Sequence, residues 1–229
     1  MIYKSYIVEN NINVIKNKLI LFYGENLGLI SEFKRKIKNL YTQNDIIKYT
    51  QDEILKNEDS FFNELRNTSL FVNQKIFFIY NASDKISKLI ERTLPNIGEN
   101  KIYLFSEILE KKSKLRNFFE NEKLADLIPC YADNEISIKK LIVNDLNEFS
   151  GIAPQVLNII CKSCNNDRMK LYNELSKIKS YFSNKKIDED HLPELLNLSE
   201  NEDFNYIKDN ALNGNKKETN DLLCNTIID

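Results

Sequence analysis

The sequence predicts an α/β domain built on a parallel sheet, followed by an all-α region. Two observations carry this: five short apolar runs alternate with long charged stretches of helical spacing, and after Tyr131 the runs stop. A third gives the strand direction, because the runs are continuously apolar, as expected of parallel strands covered by helices on both faces.

The strand candidates are Leu19–Tyr23, Ile46–Thr50, Lys75–Tyr80, Lys101–Phe105 and Leu127–Tyr131, each rich in Ile, Leu, Phe or Tyr. Helices are expected over Leu27–Leu40, Asp52–Asn67, Ala82–Leu94 and Glu107–Lys123. In the last of these, Leu109, Leu115, Phe118 and Phe119 fall on one face at a period of about 3.6 residues. The all-α part reads as Ile136–Phe149, Pro154–Ser163, Asp167–Phe182 and Asp190–Leu196. Asp167 is placed to cap the third of these helices, since its carboxylate accepts orphan N–H groups. Leu171, Leu175 and Ile178 give that helix an apolar stripe, and Lys170 with Glu174 is an i,i+4 pair. Asp203–Leu212, a turn at Gly214, and Lys217–Ile228 read as two more helices, the last meeting the chain end without a stop signal. The expected division is 1–135, 136–198 and 199–229.

Composition narrows the function classes. The chain has 229 residues, 42% hydrophobic and 29% charged, with 5 Gly and 4 Pro, which describes an ordered globular protein with short turns. A net charge of −2 does not suit a protein that wraps nucleic acid on its own. Its basic groups (Lys34, Arg35, Lys36, Lys38; Lys111, Lys112, Lys114, Arg116; Lys185, Lys186) read as solvated helix faces. No apolar run approaches the roughly 20 residues of a membrane span. A cytoplasmic chain with reduced Cys130, Cys161, Cys164 and Cys224 is expected.

The run Leu19–Tyr23 leads straight into Gly24-Glu25-Asn26-Leu27-Gly28 and a helix, the setting of a nucleotide-binding loop. The chemistry is missing. Such a loop needs Lys for the β- and γ-phosphates and Ser or Thr for Mg²⁺, whereas Leu29 and Ile30 follow Gly28 and Glu25 brings an anion. Tyr80-Asn81-Ala82-Ser83 stands where a magnesium-binding acid is needed. No nucleotide or other cofactor is expected.

Leu70 and Phe71 lie in the polar segment Asn67-Thr68-Ser69-Leu70-Phe71-Val72-Asn73-Gln74. They either tuck into the core or protrude as anchors for a partner's pocket, each worth about 1.5–3 kcal/mol when buried. Phe61, Phe62 and Leu65 on the preceding helix are expected to support them. His191 reads as a surface or capping residue. Cys161 and Cys164 read as core packing, because a second Cys pair and a partner for His191 are absent. Glu200, Glu202 and Asp203 read as helix-capping acids.

Several short motifs in order resemble the delta-subunit family of bacterial DNA polymerase III clamp loaders. They are Leu21-Phe22-Tyr23-Gly24-Glu25-Asn26, Ser69-Leu70-Phe71, the strand Lys75–Asn81, Ser113-Lys114-Leu115-Arg116, Ile128-Pro129-Cys130-Tyr131 and Asp167-Arg168-x-x-Leu171-x-x-Glu174-Leu175-x-Lys177. The resemblance implies an AAA+-like sheet domain with a degenerate phosphate loop, a small helical lid domain and the start of a helical collar domain. It implies that Ser69, Leu70 and Phe71 bind the sliding clamp, and that Glu174 and Lys177 form a structural ion pair. The implied partners are the clamp (beta subunit), loader subunits of the gamma/tau and delta-prime type, and primed DNA. The chain is then a component without a catalytic site in a DNA-directed DNA polymerase (nucleotidyltransferase) holoenzyme. Family members carry a complete collar, whereas this chain has only its opening helices. The alternatives are an active P-loop NTPase or kinase, and a helicase-loader-like scaffold for single-stranded nucleic acid.

Overall fold

The structure, a computed structural model, describes residues 1–42, 44, 46–67, 74–196 and 204–227. They form two compact units: Met1–Asn134 with Asp167–Met169, and Glu135–Asn166 with Lys170–Asp229.

The first unit follows the order α1 (Ser5–Asn10), β1 (Leu19–Tyr23), α2 (Leu27–Leu40), β2 (Ile46–Thr50), α3 (Gln51–Lys56), α4 (Glu58–Arg66), β3 (Ile76–Tyr80), α5 (Ser87–Thr93), β4 (Lys101–Ser106), α6 (Lys114–Asn121) and β5 (Ala125–Pro129). The five strands make one parallel sheet in the order β2-β3-β4-β1-β5. β1, paired on one side with β4 and on the other with β5, is buried along its whole length. Side chains alternate across a strand, so each strand feeds two cores. Leu19, Leu21, Phe77, Ile79, Ile102 and Leu104 face a core closed by α3, α4, α5 and α6. Ile20, Phe22, Ile76, Phe78, Tyr103 and Phe105 face the other, where the helical contributions come from α2 and from Val8 of α1.

Several helices are shorter than the sequence predicts. The stretch expected as one helix over Asp52–Asn67 is two, because the Asn57 side chain accepts from the Ser60 amide and starts α4 afresh. α6 begins only at Lys114, where Ser113 caps it, so Leu109 is buried but lies outside the helix. The Ala82–Leu94 stretch opens with a 3-10 turn over Asp84–Ile86 and becomes α-helical only at Ser87. The last strand runs Ala125–Pro129, two residues earlier than expected.

The second unit holds α7 (Glu135–Asp145), α8 (Pro154–Cys164), α9 (from Arg168 in the first unit to Tyr181), α10 (Leu192–Leu195), α11 (Phe204–Leu212) and α12 (Lys216–Ile227). Its core gathers Ile138, Ile142, Val156, Ile160, Cys164, Leu171, Leu175 and Ile178. The α9 stripe is therefore the buried one that the spacing indicates, and Cys161 and Cys164 are core residues. Glu174 pairs with Lys177 at 3.1 Å. Exposed His191 stands 3.2 Å from Asp188. Glu200, Glu202 and Asp203 lie outside the described residues. Among the described residues no helix is long and apolar enough to cross a membrane, and no group of His, Cys, Asp or Glu is placed to hold a metal ion.

Candidate functional site

The candidate site lies at the C-terminal end of β1, where a parallel α/β sheet binds its ligands. Gly24 takes a left-handed backbone, φ +143°, and a Cβ there would meet the Cys130 carbonyl oxygen at 2.1 Å. The glycine therefore lets the loop run hard against the exit of β5. This close approach also determines where the loop's amides point.

A phosphate-binding loop turns its backbone N–H groups toward the ligand. Here the Gly24 N–H donates to the Glu107 carbonyl at 3.2 Å, and that of Asn26 to the Cys130 carbonyl at 3.1 Å. The Leu27 N–H donates to the Glu25 carbonyl at 3.0 Å. The Asn26 carboxamide caps α2 by accepting from the Leu29 amide at 2.9 Å, and donates to Asp133 at 2.7 Å and to the Tyr131 carbonyl at 3.1 Å. Glu25 is exposed, and its carboxylate accepts from the Ala132 amide at 3.1 Å, so it braces the β5 exit. Three of the loop's five amides, those of Gly24, Asn26 and Leu27, are thus engaged by carbonyls of the chain.

Gly28 is a glycine for packing: a Cβ there would lie 2.8 Å from the Arg168 Cβ and 3.0 Å from the Met169 nitrogen. Arg168 is 3% exposed and meets three carboxylates. Its Nε and Nη2 donate to the two oxygens of Asp133 at 2.8 Å each, and its Nη1 reaches Glu9 at 2.6 Å and Glu32 at 3.1 Å. Lys36 adds a second cation, 2.7 Å from Glu32. This guanidinium is thus directed at carboxylates. The sequence motif contains Arg168, but its partners Glu9, Glu32 and Asp133 carried no signal, since each reads as an ordinary charge on a helix or loop.

Just past β3, two strands from β1, Asn81 has φ +55° and Ala82 bonds back to the Phe105 carbonyl at 3.0 Å. The first acid after β3, Asp84, accepts from the Ser113 hydroxyl at 2.5 Å and the Leu115 amide at 3.0 Å, which commits it to starting α6. Burial raises its carboxyl, but those hydrogen bonds and Lys114 outweigh it and hold the group below the usual aspartate range. Arg116 packs over the Tyr23 ring at 5.2 Å and bonds Glu120 at 2.8 Å.

Ser69, Leu70 and Phe71 lie outside the described residues. Phe61, Phe62 and Leu65, the residues expected to support them, are buried residues of α4. Phe61 packs edge-on against Tyr49 and Phe77, with ring centroids 5.8 and 5.9 Å apart, and Phe62 and Leu65 are buried beside it. The two sides of the intervening segment are joined by Asn100, which sequence reasoning missed. Its amide donates to the Leu65 carbonyl at 2.8 Å while its carbonyl accepts from the Lys75 amide at 3.0 Å. An Asn before a strand reads as a turn residue, and its double bond across residues 25 and 35 positions away leaves no periodic trace.

No protein-family model matches the chain. A probable DNA polymerase III subunit delta of Rickettsia prowazekii is 23% identical over 71% of this chain and 50% of its own length. A protein-arginine kinase of Clostridium perfringens is 30% identical over 77% of this chain and 47% of its own length. The chain spans about half the length of these curated relatives. Among solved structures, the Bacillus subtilis DNA clamp loader delta protein matches with a TM-score of 0.59 at 12% identity, covering 97% of this chain and 71% of that one. The Thermotoga maritima RuvB Holliday junction branch migration motor matches with a TM-score of 0.52 at 14% identity, covering 79% and 61%. The five-stranded parallel sheet and its helices are an AAA+-like α/β fold.

Proposed function

We propose that this chain, which is similar in sequence and in fold to delta subunits of bacterial clamp loaders, is a clamp-loader component that grips the sliding clamp without using nucleotide itself. The carrying observation is the loop at Gly24–Gly28: in an AAA+-like fold, three amides of the loop that ordinarily cradles phosphate donate to Glu107, Cys130 and Glu25 instead. The Arg168 guanidinium packed beside Gly28 is bound to carboxylates, which supports the same reading.

In this proposal Leu70 and Phe71, with Ser69, enter an apolar pocket on the clamp, and α4 holds their segment through Phe61, Phe62 and Leu65. Binding favours an open clamp only to the extent that the chain binds that form more tightly than the closed one. Nucleotide-driven motion belongs to partner subunits of the gamma/tau and delta-prime type, and primed DNA is threaded within the assembly. Residues 136–198 serve as the lid and residues 199–229 as the opening of the collar.

The test is capture of the cognate clamp by the full chain, with and without Mg²⁺-ATP. Equal capture in both conditions, with no ATP turnover, supports the proposal. Turnover, or capture that depends on nucleotide, overturns it. The identity with the protein-arginine kinase supplies the rival reading as a nucleotide-using enzyme, and the same assay decides between them.

A further inference from the structure

The sheet is least covered at the β2 edge, where four residues are half-buried and Lys48 is exposed. One face packs against α3, α4, α5 and α6, the other against α2, α1 and the segment that carries Ile12, Val14 and Ile15. On that second face β2 presents Ile46, Lys48 and Thr50, and Lys48, in register with buried Phe78, is exposed. Beside it runs a ladder of rings: Tyr41–Tyr103 at 6.4 Å, Phe78–Tyr103 at 5.8 Å, Phe78–Tyr80 at 6.3 Å and Tyr80–Phe105 stacked at 5.7 Å. Tyr41 and Tyr80 are half-buried, so this ladder reaches the surface at both ends.

Cations stand over both ends. Lys34 Nζ is 4.8 Å from the Tyr80 centroid and 4.7 Å from that of Phe105, and Lys101 Nζ is 5.7 Å from Tyr41. Lys38 lies one helical turn beyond Lys34. Burial and the neighbouring Lys38 charge both push the Lys34 ammonium below its usual range. Among the described residues none of these four lysines is in an ion pair, although Lys18, Lys36, Lys75, Lys139, Lys177, Lys179 and Lys185 are. Adjacent strands are about 4.8 Å apart and rise about 3.3 Å per residue, so Lys48 and Lys101, two strands apart and offset by two residues in register, are separated by about 12 Å at their backbones. Lys34 and Lys38 are about 6 Å apart along their helix.

From this juxtaposition of unpaired lysines with rings that reach the surface, we propose that the open face formed by Lys34, Lys38, Lys48 and Lys101 with Tyr41 and Tyr80 binds single-stranded nucleic acid. Charge complementarity selects a polyanion. The aromatic ladder favours a polyanion with flat bases, because stacking on aromatic rings beside a cationic track is how single strands are held without sequence preference. The basic cluster in α2 reads from sequence as a solvated helix face; the fold joins two of its members to lysines from two strands. The inference needs only this face of the sheet, so it stands or falls independently of clamp binding.

The test is fluorescence anisotropy of a labelled 20-nucleotide oligo-dT with the full chain at increasing salt. Three or four phosphate contacts predict weak binding whose log–log salt slope is about −2 to −3. Lys38→Gln/Lys48→Gln changes two exposed residues; it lowers the slope's magnitude by about 1.4 and the affinity by about tenfold, with an unchanged melting curve. Lys88→Gln, exposed on α5 across the sheet, leaves binding as it was. Salt-independent binding, no binding, or the same loss in both variants overturns the proposal. Equal displacement by a poly-Glu peptide of matched charge also overturns it and assigns the face to acidic peptides.

Discussion

Arg168 clasps Asp133 as a two-pronged fork, with Nε and Nη2 each 2.8 Å from a different carboxylate oxygen. The pair sits against Gly28, beside a loop in which the amides of Gly24, Asn26 and Leu27 donate to carbonyls of the chain. A parallel planar fork is the geometry that a lysine cannot reproduce. The AAA+-like frame is thus kept, and its phosphate loop is wired into its own domain.

Arg168→Ala removes the cation shared by Glu9, Glu32 and Asp133 and leaves Lys36 paired with Glu32. Removing one partner from a buried ionic cluster costs about 3–5 kcal/mol. Urea denaturation of the full chain should show that loss in Arg168→Ala and a smaller but clear one in Arg168→Lys. A midpoint unchanged in both variants contradicts the structural role given to this arginine.

Asn100→Ala cuts the two bonds that Asn100 makes at the base of the segment that contains Leu70 and Phe71, freeing the Leu65 carbonyl and the Lys75 amide while the Lys75–Glu64 pair remains. Two part-buried bonds of this kind predict a destabilisation of about 1–2 kcal/mol. Limited proteolysis should then cut within residues 67–74 faster than in the parent chain. Protection equal to the parent's contradicts the role of Asn100 as the tie.

Asp84 gives a pH dependence with a definite sign. Its carboxyl is held below the ordinary aspartate value, so the folded state binds this proton more weakly than the unfolded chain. The stabilisation is fully present above the unfolded value of about 3.9 and fades as pH falls through the folded value. Asp84→Asn keeps an acceptor for Leu115 and removes the charge. Between pH 5 and pH 3 its melting temperature should fall less than that of the parent; parallel falls contradict the assignment.

What was legible in the sequence was whatever is encoded by local period and local caps. β1, β2 and α2 occur with the bounds that the apolar runs and the helical spacing indicate. The α9 stripe of Leu171, Leu175 and Ile178 is buried as its spacing requires. The errors come from single polar residues that override a period. Asn57 splits one expected helix in two, and Ser113 with Asp84 delays α6 until Lys114. The site was half legible. The missing Lys and the extra Glu25 are visible in the loop itself, but the destinations of its amides are not. Nor are the carboxylates around Arg168, of which Glu32 and Glu9 are 136 and 159 positions away. Pairings across such distances are set by the closed sheet, after the local signals have acted.

Calorimetry of the full chain against its cognate clamp, with no nucleotide present, tests the central claim most directly. The account predicts measurable binding by the parent chain. Leu70→Ala/Phe71→Ala should weaken it by about 100-fold or more, the scale set by two buried side chains of about 1.5–3 kcal/mol each, and leave the melting curve unchanged. Equal affinity of the double variant and the parent would contradict it.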